Sequence, residues 1–154
     1  MASNGSLSFE NELFSKFAFY AAIVLLKTLV MSVWTARHRI PRRVFPAPED
    51  YTFFNAKSPT ATIAFDAQVE RIRRCHLNDI ENVIPFILIG LFYVLTGPDV
   101  NTAVLLFRVF AGARILHTLV YLNGIGQPFR AIIWSAGYGV CIFMTIVVIK
   151  AGSY

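Results

Sequence analysis

The sequence predicts an all-α integral membrane protein, a bundle of four membrane-crossing helices in one domain. Three observations predict it. Of the 154 residues, 56% are hydrophobic and only 15% charged, whereas about a quarter of an average soluble domain is charged. The apolar residues gather into runs approaching the roughly 20 residues that a helix needs to cross a bilayer. Turn formers punctuate the runs, as at Gly97-Pro98 and Gly126-Gln127-Pro128. A chain of this length makes a single domain.

The first span is expected over 13–36. Glu10 and Glu12 stand where a signal peptide carries a basic region, and no small-residue cleavage site follows Trp34. The span therefore reads as a permanent anchor. Asn4-Gly5-Ser6 is a glycosylation sequon, so close to the first span that its use is not expected. The apolar run 83–95 is short for a span, but its flank VERIRRCHLNDIEN contains no strong breaker. One longer helix is thus expected over 69–95, with 77–95 in the membrane and the polar end projecting from one face. Pro85 removes a backbone hydrogen bond and should kink that helix. The third and fourth spans are expected over 101–122 and 129–149. Short turns make sequential helices antiparallel neighbours, so a left-handed four-helix bundle is the default packing.

The one long connection, 37–68, holds Pro41, Pro46, Pro48 and Pro59, which exclude a continuous helix there. Eight of the 14 Lys and Arg residues lie between Arg37 and Arg74. Basic short loops stay on the cytosolic side, which puts this loop in the cytosol and both termini in the lumen. The net charge of +5 does not predict nucleic-acid binding, since no aromatic and basic surface stands free of the membrane. Cys75 and Cys141 make no disulfide framework, and both are expected to stay reduced. No Cys/His spacing supports a metal, and neither a Gly-rich phosphate loop nor a nucleophile motif is present.

Ionisable groups inside spans are costly and raise functional hypotheses. Arg74, Asn78 and Glu81 fall at i, i+4 and i+7 on one helical face, flanked by Arg73 and His76. Arg114, His117 and Tyr121 make a second stripe at i, i+3 and i+7, and Arg130 precedes Trp134 and Tyr138 at i+4 and i+8. If the cytosolic ends converge, several cations meet one carboxylate, two imidazoles and a phenol. Such a site suits a small polyanionic ligand, because guanidinium forks bind carboxylates bidentately and Glu81 can hold an amino group. Glutathione, with two carboxylates, one ammonium and a thiol, matches chemically, and phosphate-bearing ligands also fit the cations. Structural readings stand beside this one. Arg42 and Arg43 read as anchors that meet anionic lipid, and Glu81 and Arg114 can pair only to stitch the bundle. His117 alone would most often be a satisfied core histidine. Lys27 snorkels or pairs with Asp79, with no chemistry assigned.

The stretch VERIRRCHLNDIENVIPF, followed by GLFYVLTGPD, FRVFAGARILHTLVYL and QPFRA, resembles the microsomal glutathione transferases, of the class 1-like branch. These belong to the superfamily of membrane-associated proteins in eicosanoid and glutathione metabolism. The resemblance runs from about the first span to the last. It implies a homotrimer with intersubunit sites, glutathione bound at the cytosolic face, and a hydrophobic co-substrate arriving from the bilayer. It also implies residence in the endoplasmic reticulum membrane, with the outer mitochondrial membrane as a second location. Carried over position by position, it implies that Arg39, Arg73, Arg74, His76, Asn78, Glu81, His117, Tyr121 and Arg130 contact glutathione. Arg130 would stabilise the thiolate, with Tyr121 or His117 as the other candidates for that role. The prostaglandin E synthase branch typically has Arg, Ser and Tyr where this chain has Leu77, Ala131 and Trp134. Two departures from the transferase pattern are the loop FPAPED, where the family reads Phe-Ala-Asn-Pro-Glu-Asp, and Tyr51, where a cysteine often stands.

The expected reaction is attack by glutathione thiolate on a hydrophobic electrophile or a lipid hydroperoxide. Rival classes are an eicosanoid synthase, a transporter or channel, and a non-catalytic membrane adaptor using the basic loop. Against transport, the cations cluster at one membrane face instead of crossing it.

Overall fold

The structure is a computed structural model that describes residues 7–53 and 65–153. The glycosylation sequon at Asn4 and the loop proline Pro59 lie outside the described residues. Among the described residues there are five helices: α1 (Glu12–Arg42), α2 (Pro48–Phe53), α3 (Ala67–Leu95), α4 (Val100–Leu122) and α5 (Phe129–Gly152). All but the short α2 are long and apolar enough to cross a membrane.

Local chemistry explains the helix ends. Asn11 caps α1 by accepting from the backbone N–H groups of Leu13 and Phe14 at 2.9 and 3.4 Å. Asp66 caps α3 through Gln68 and Val69 at 2.9 and 2.8 Å, and Asp99 caps α4 through Thr102 at 2.8 Å. Each cap satisfies backbone donors that the first helical turn leaves free.

The first helix is longer than its apolar run, and Pro41 lies inside it. Proline in the last turn forfeits one backbone bond there, and the helix closes two residues later. Arg43 adopts a left-handed conformation with φ 53, and the N–H groups of Arg43 and Val44 cap Ile40 and Arg39 at 3.1 and 3.2 Å. Pro48 then opens α2, at the helix position where a missing N–H costs nothing. Tyr51 of α2 is buried and packs edge-on against Phe45, with ring centroids 5.1 Å apart.

In cross-section α1 packs on α3 and α4, and α5 packs on the same two helices. Among the described residues α1 and α5 do not touch. The centre is aromatic: Phe86 of α3 stacks on Phe110 of α4 at 3.8 Å, and Phe107 meets Phe17 of α1 edge-on at 5.4 Å. Gly90 gives α1 its close approach to α3, since a Cβ there would sit 2.3 Å from the Phe17 ring. Outward faces are apolar too, with Leu26, Leu29, Val33, Ile84, Leu88, Leu105, Leu119, Ile132 and Ile146 exposed. Helices apolar inside and out suit a lipid surround, where every backbone polar group must be satisfied within its own helix.

Candidate functional site

The site starts from the stripe on α4. Arg114 and His117 turn inward and are buried, 1% and 4% exposed. Tyr121, one turn further, lies beside His117 with ring centroids 5.6 Å apart. The α4–α5 turn reverses the chain so that Arg130, at the start of α5, lays its guanidinium over the Tyr121 ring, 4.6 Å from the centroid. That separation is within cation–π range. Trp134 stacks on Tyr138 one turn below, at 4.7 Å.

These residues wall an open cavity of about 350 Å³ lined by Asn78, His117, Tyr121, Gln127, Arg130, Ala131 and Trp134. Arg130 Nε is buried with no hydrogen-bond partner among the described residues. A buried guanidinium donor without an acceptor is costly, and an anion in the cavity would supply that acceptor. On α5 the lining residues beside Arg130, Ala131 and Trp134, carry no hydroxyl, so the phenol of Tyr121 on α4 is the hydroxyl of this lining.

A second hollow, also about 350 Å³, opens at the end of the bundle that holds the 37–68 connection. Arg39, Val44, Phe45, Pro46, Phe65, Asp66, Val69, Glu70 and Arg73 line it. Arg39 Nε is likewise buried without a hydrogen-bond partner among the described residues. Glu70 takes both forks of Arg73, at 2.8 Å each, and Nε of Arg74 at 2.8 Å. Hydrogen bonds from Arg73 and then Arg74 hold the Glu70 carboxyl at about 2, and Glu70 in turn raises Arg73.

The sequence-predicted residues therefore divide. Asn78, His117, Tyr121 and Arg130 meet in one cavity, while Arg39 and Arg73 line the other. Arg74 is held by Glu70, and His76 is half-buried and lines neither hollow. Glu81 is exposed on the outer face of α3, with no ion pair or hydrogen bond among the described residues.

The pairing of Glu81 with Arg114 does not form. Arg114 instead donates to Asp79 Oδ1 at 2.7 Å and Asn78 Oδ1 at 2.8 Å. Asp79 is two residues from Glu81, a rotation of about 200° around a helix. Of the two carboxylates, only Asp79 faces the bundle interior, where it is 0% exposed. Lys27 of α1 also meets Asp79.

Sequence reasoning did not single out Glu70 or Gln127. The i, i+3 and i, i+4 spacing of Glu70 from Arg73 and Arg74 was a readable signal. Gln127 sits in a turn and offered none.

The MAPEG family profile matches residues 17–150, which include both hollows in full. The chain belongs to the MAPEG family. Among MAPEG-related proteins, human microsomal glutathione S-transferase 1 is 49% identical over 149 residues, covering 94% of each chain. The bovine protein of that name is 47% identical over 156 residues and covers 99% of each. Human prostaglandin E synthase is related at 28% identity over 130 residues, 84% of each chain. The similarity to the transferases thus spans nearly the whole chain and exceeds that to the synthase.

Proposed function

We infer that this MAPEG protein is a glutathione transferase of the membrane, joining glutathione thiolate to hydrophobic electrophiles. The observation that carries the reading is the Asn78–His117–Tyr121–Arg130 cavity, in a chain nearly half identical to microsomal glutathione S-transferase 1. A thiol of pKa about 8.5 is mostly protonated at neutral pH, and the thiolate is the nucleophile. Arg130, with its unpartnered Nε, stabilises the thiolate, and Tyr121 beneath it holds the guanidinium in place or shares that role. The thiol proton leaves to water, sulfur forms a bond to the electrophilic carbon, and the leaving group departs with its electron pair. No side chain is covalently changed. With a lipid hydroperoxide, two glutathione molecules supply the two electrons, giving the disulfide, an alcohol and water.

Arg39, Arg73, Arg74, His76 and Glu81 complete the glutathione site in a homotrimer. Two observations support that assembly. Arg39 and Arg73 line a different hollow from Arg130. Glu81 is a carboxylate exposed within an apolar span, and such groups need a partner in lipid. The protein resides in the endoplasmic reticulum membrane, with the outer mitochondrial membrane as a second address, and residues 77–95 of α3 lie in the bilayer. Connection 37–68 and the active site face the cytosol, and both termini face the lumen.

The deciding experiment is conjugation of glutathione to a chloronitrobenzene by purified protein in detergent, run beside lipid hydroperoxides and a prostaglandin endoperoxide. Turnover of the endoperoxide alone would replace this reading with the synthase one. No turnover of any acceptor would leave a transport or adaptor role. Cross-linking that finds only monomers in active protein would overturn the trimer. Protease mapping of sealed microsomes that finds residues 40–66 in the lumen would overturn the orientation.

A further inference from the structure

Behind the cavity lies a buried charge cluster that the reaction just described does not use. Asp79 of α3 is 0% exposed, and its Oδ1 receives both Lys27 of α1 and Arg114 of α4, the latter at 2.7 Å. The Lys27 and Arg114 side chains are 14% and 1% exposed. Two cations against one carboxylate leave one positive charge unbalanced in the apolar part of the bundle. Asp79 Oδ2 and Arg114 Nε and Nη1 have no hydrogen-bond partners among the described residues. An ion cluster meant only to stitch helices is expected to match its charges and satisfy its forks. This one does neither.

The cluster is joined to the cavity. Arg114 Nη2 donates to Asn78 Oδ1 at 2.8 Å and stands 3.5 Å from His117 Nδ1, and both residues line the cavity with Arg130. A guanidinium only donates. Asn78 therefore keeps its amide nitrogen as the remaining side-chain donor group. His117 faces Arg114 with an accepting Nδ1, which leaves Nε2 as the N–H. Both cavity residues are thus set as donors, which suits an anion.

We propose that Lys27, Asp79 and Arg114 act as a remote electrostatic unit, in which Lys27 is a positioning residue whose charge makes the cavity favour the glutathione thiolate. The inference rests on the transferase reading. Other titratable groups face the unit: Cys75 on α3, Cys141 on α5 and His117 on α4, and beyond His117 stand Tyr121 and Arg130. Among these, Arg130 alone carries a permanent charge, and it adds to the positive sign. In a medium of low dielectric a single charge acts over several ångströms with little screening.

Counting charges makes the test discriminating. The native unit carries +1, Lys27→Met carries 0, Asp79→Asn carries +2, and the double variant returns to +1. The readout is the pKa of bound glutathione, taken from the thiolate ultraviolet band and from the pH profile of conjugation. Lys27→Met should raise it by about half to one pH unit, and Asp79→Asn should lower it by a similar amount. The double variant should return towards the native value, and Lys27→Arg should keep it. A merely structural cluster gives losses of the same sign, accumulating in the double variant. If Asp79→Asn alone does not assemble, the comparison of Lys27→Met with the double variant decides. An unchanged pKa in Lys27→Met, or shifts of one sign throughout, overturns the proposal. If the native protein forms no thiolate band with glutathione, the transferase reading itself has failed.

Discussion

Replacing Gly90 with alanine should destabilise the bundle despite improving helix propensity. The added Cβ would lie 2.3 Å from Phe17 Cε2, 2.9 Å from Cζ and 3.1 Å from Cδ2. Carbon atoms in contact settle at about 3.5–4.0 Å, so ring and helix must separate by about 1.2 Å or more. The ring cannot swing aside, because Phe86 and Phe107 flank it with centroids 5.9 and 5.4 Å away and Phe17 is only 2% exposed. Overpacking of this kind costs about 1–3 kcal/mol, and the hemmed ring puts Gly90→Ala near the upper end. Alanine regains about 1 kcal/mol of helix propensity over glycine, leaving a net loss of about 2 kcal/mol. For a domain near 150 residues that is a fall in Tm of roughly 4–8 °C. Gly112 of α4 is the control, since a Cβ there meets nothing within 4 Å, and Gly112→Ala should be neutral or slightly stabilising. Thermal unfolding of both variants in one detergent is the assay. Equal melting temperatures for the two would refute the claim that α1 and α3 are locked at Gly90. Conjugation by the folded fraction should change little, because Gly90 lies about 16 Å along the helix from Asp79.

Arg130→Ala should raise the pKa of bound glutathione by about one unit, roughly 1.4 kcal/mol, while affinity should fall less, since the proposed site assigns the glutathione carboxylates to Arg39, Arg73 and Arg74. An unchanged thiolate band in that variant, beside a Tyr121→Phe variant that has lost it, would move the catalytic role to Tyr121. Glu81→Gln should weaken glutathione binding more than it slows turnover, as seen by calorimetric titration beside saturation kinetics; native affinity would leave Glu81 a structural role only. Glu70→Gln should flatten the acid dependence of stability. The Glu70 carboxyl is held at about 2 against an ordinary 4.5, so its ion pairs contribute fully above about 4.5 and are lost as pH falls towards 2. Because Arg73 and Arg74 are 49% and 64% exposed, the contribution is at most about 1 kcal/mol per pair. Melts at pH 5, 4, 3 and 2 that fall equally in native and variant protein would remove Glu70 from the acid response.

The sequence by itself determined the class of protein and most of the stripes. Four helical spans follow from run length and hydropathy, which depend on composition along the chain and not on packing. The stripe Arg114–His117–Tyr121 follows from 3.6-residue periodicity, and residues from it do share a cavity wall. Periodicity says which side chains share a face. It does not say which neighbouring helix that face meets, and here the tertiary structure decided. The aromatic stack of Phe86 on Phe110 and the approach of Phe17 to Gly90 set the rotation of α3 about its axis. With that rotation Asp79 turns inward to Lys27 and Arg114, and Glu81 turns out. Run length marks only the apolar part of the first helix, and α1 continues past it through Pro41 to Arg42. Glu70, Arg73 and Arg74 could be paired from local spacing, since all three lie on one helix. The separation of Arg39 from Arg130 into different hollows depends on where three helices end in space, which no local pattern encodes.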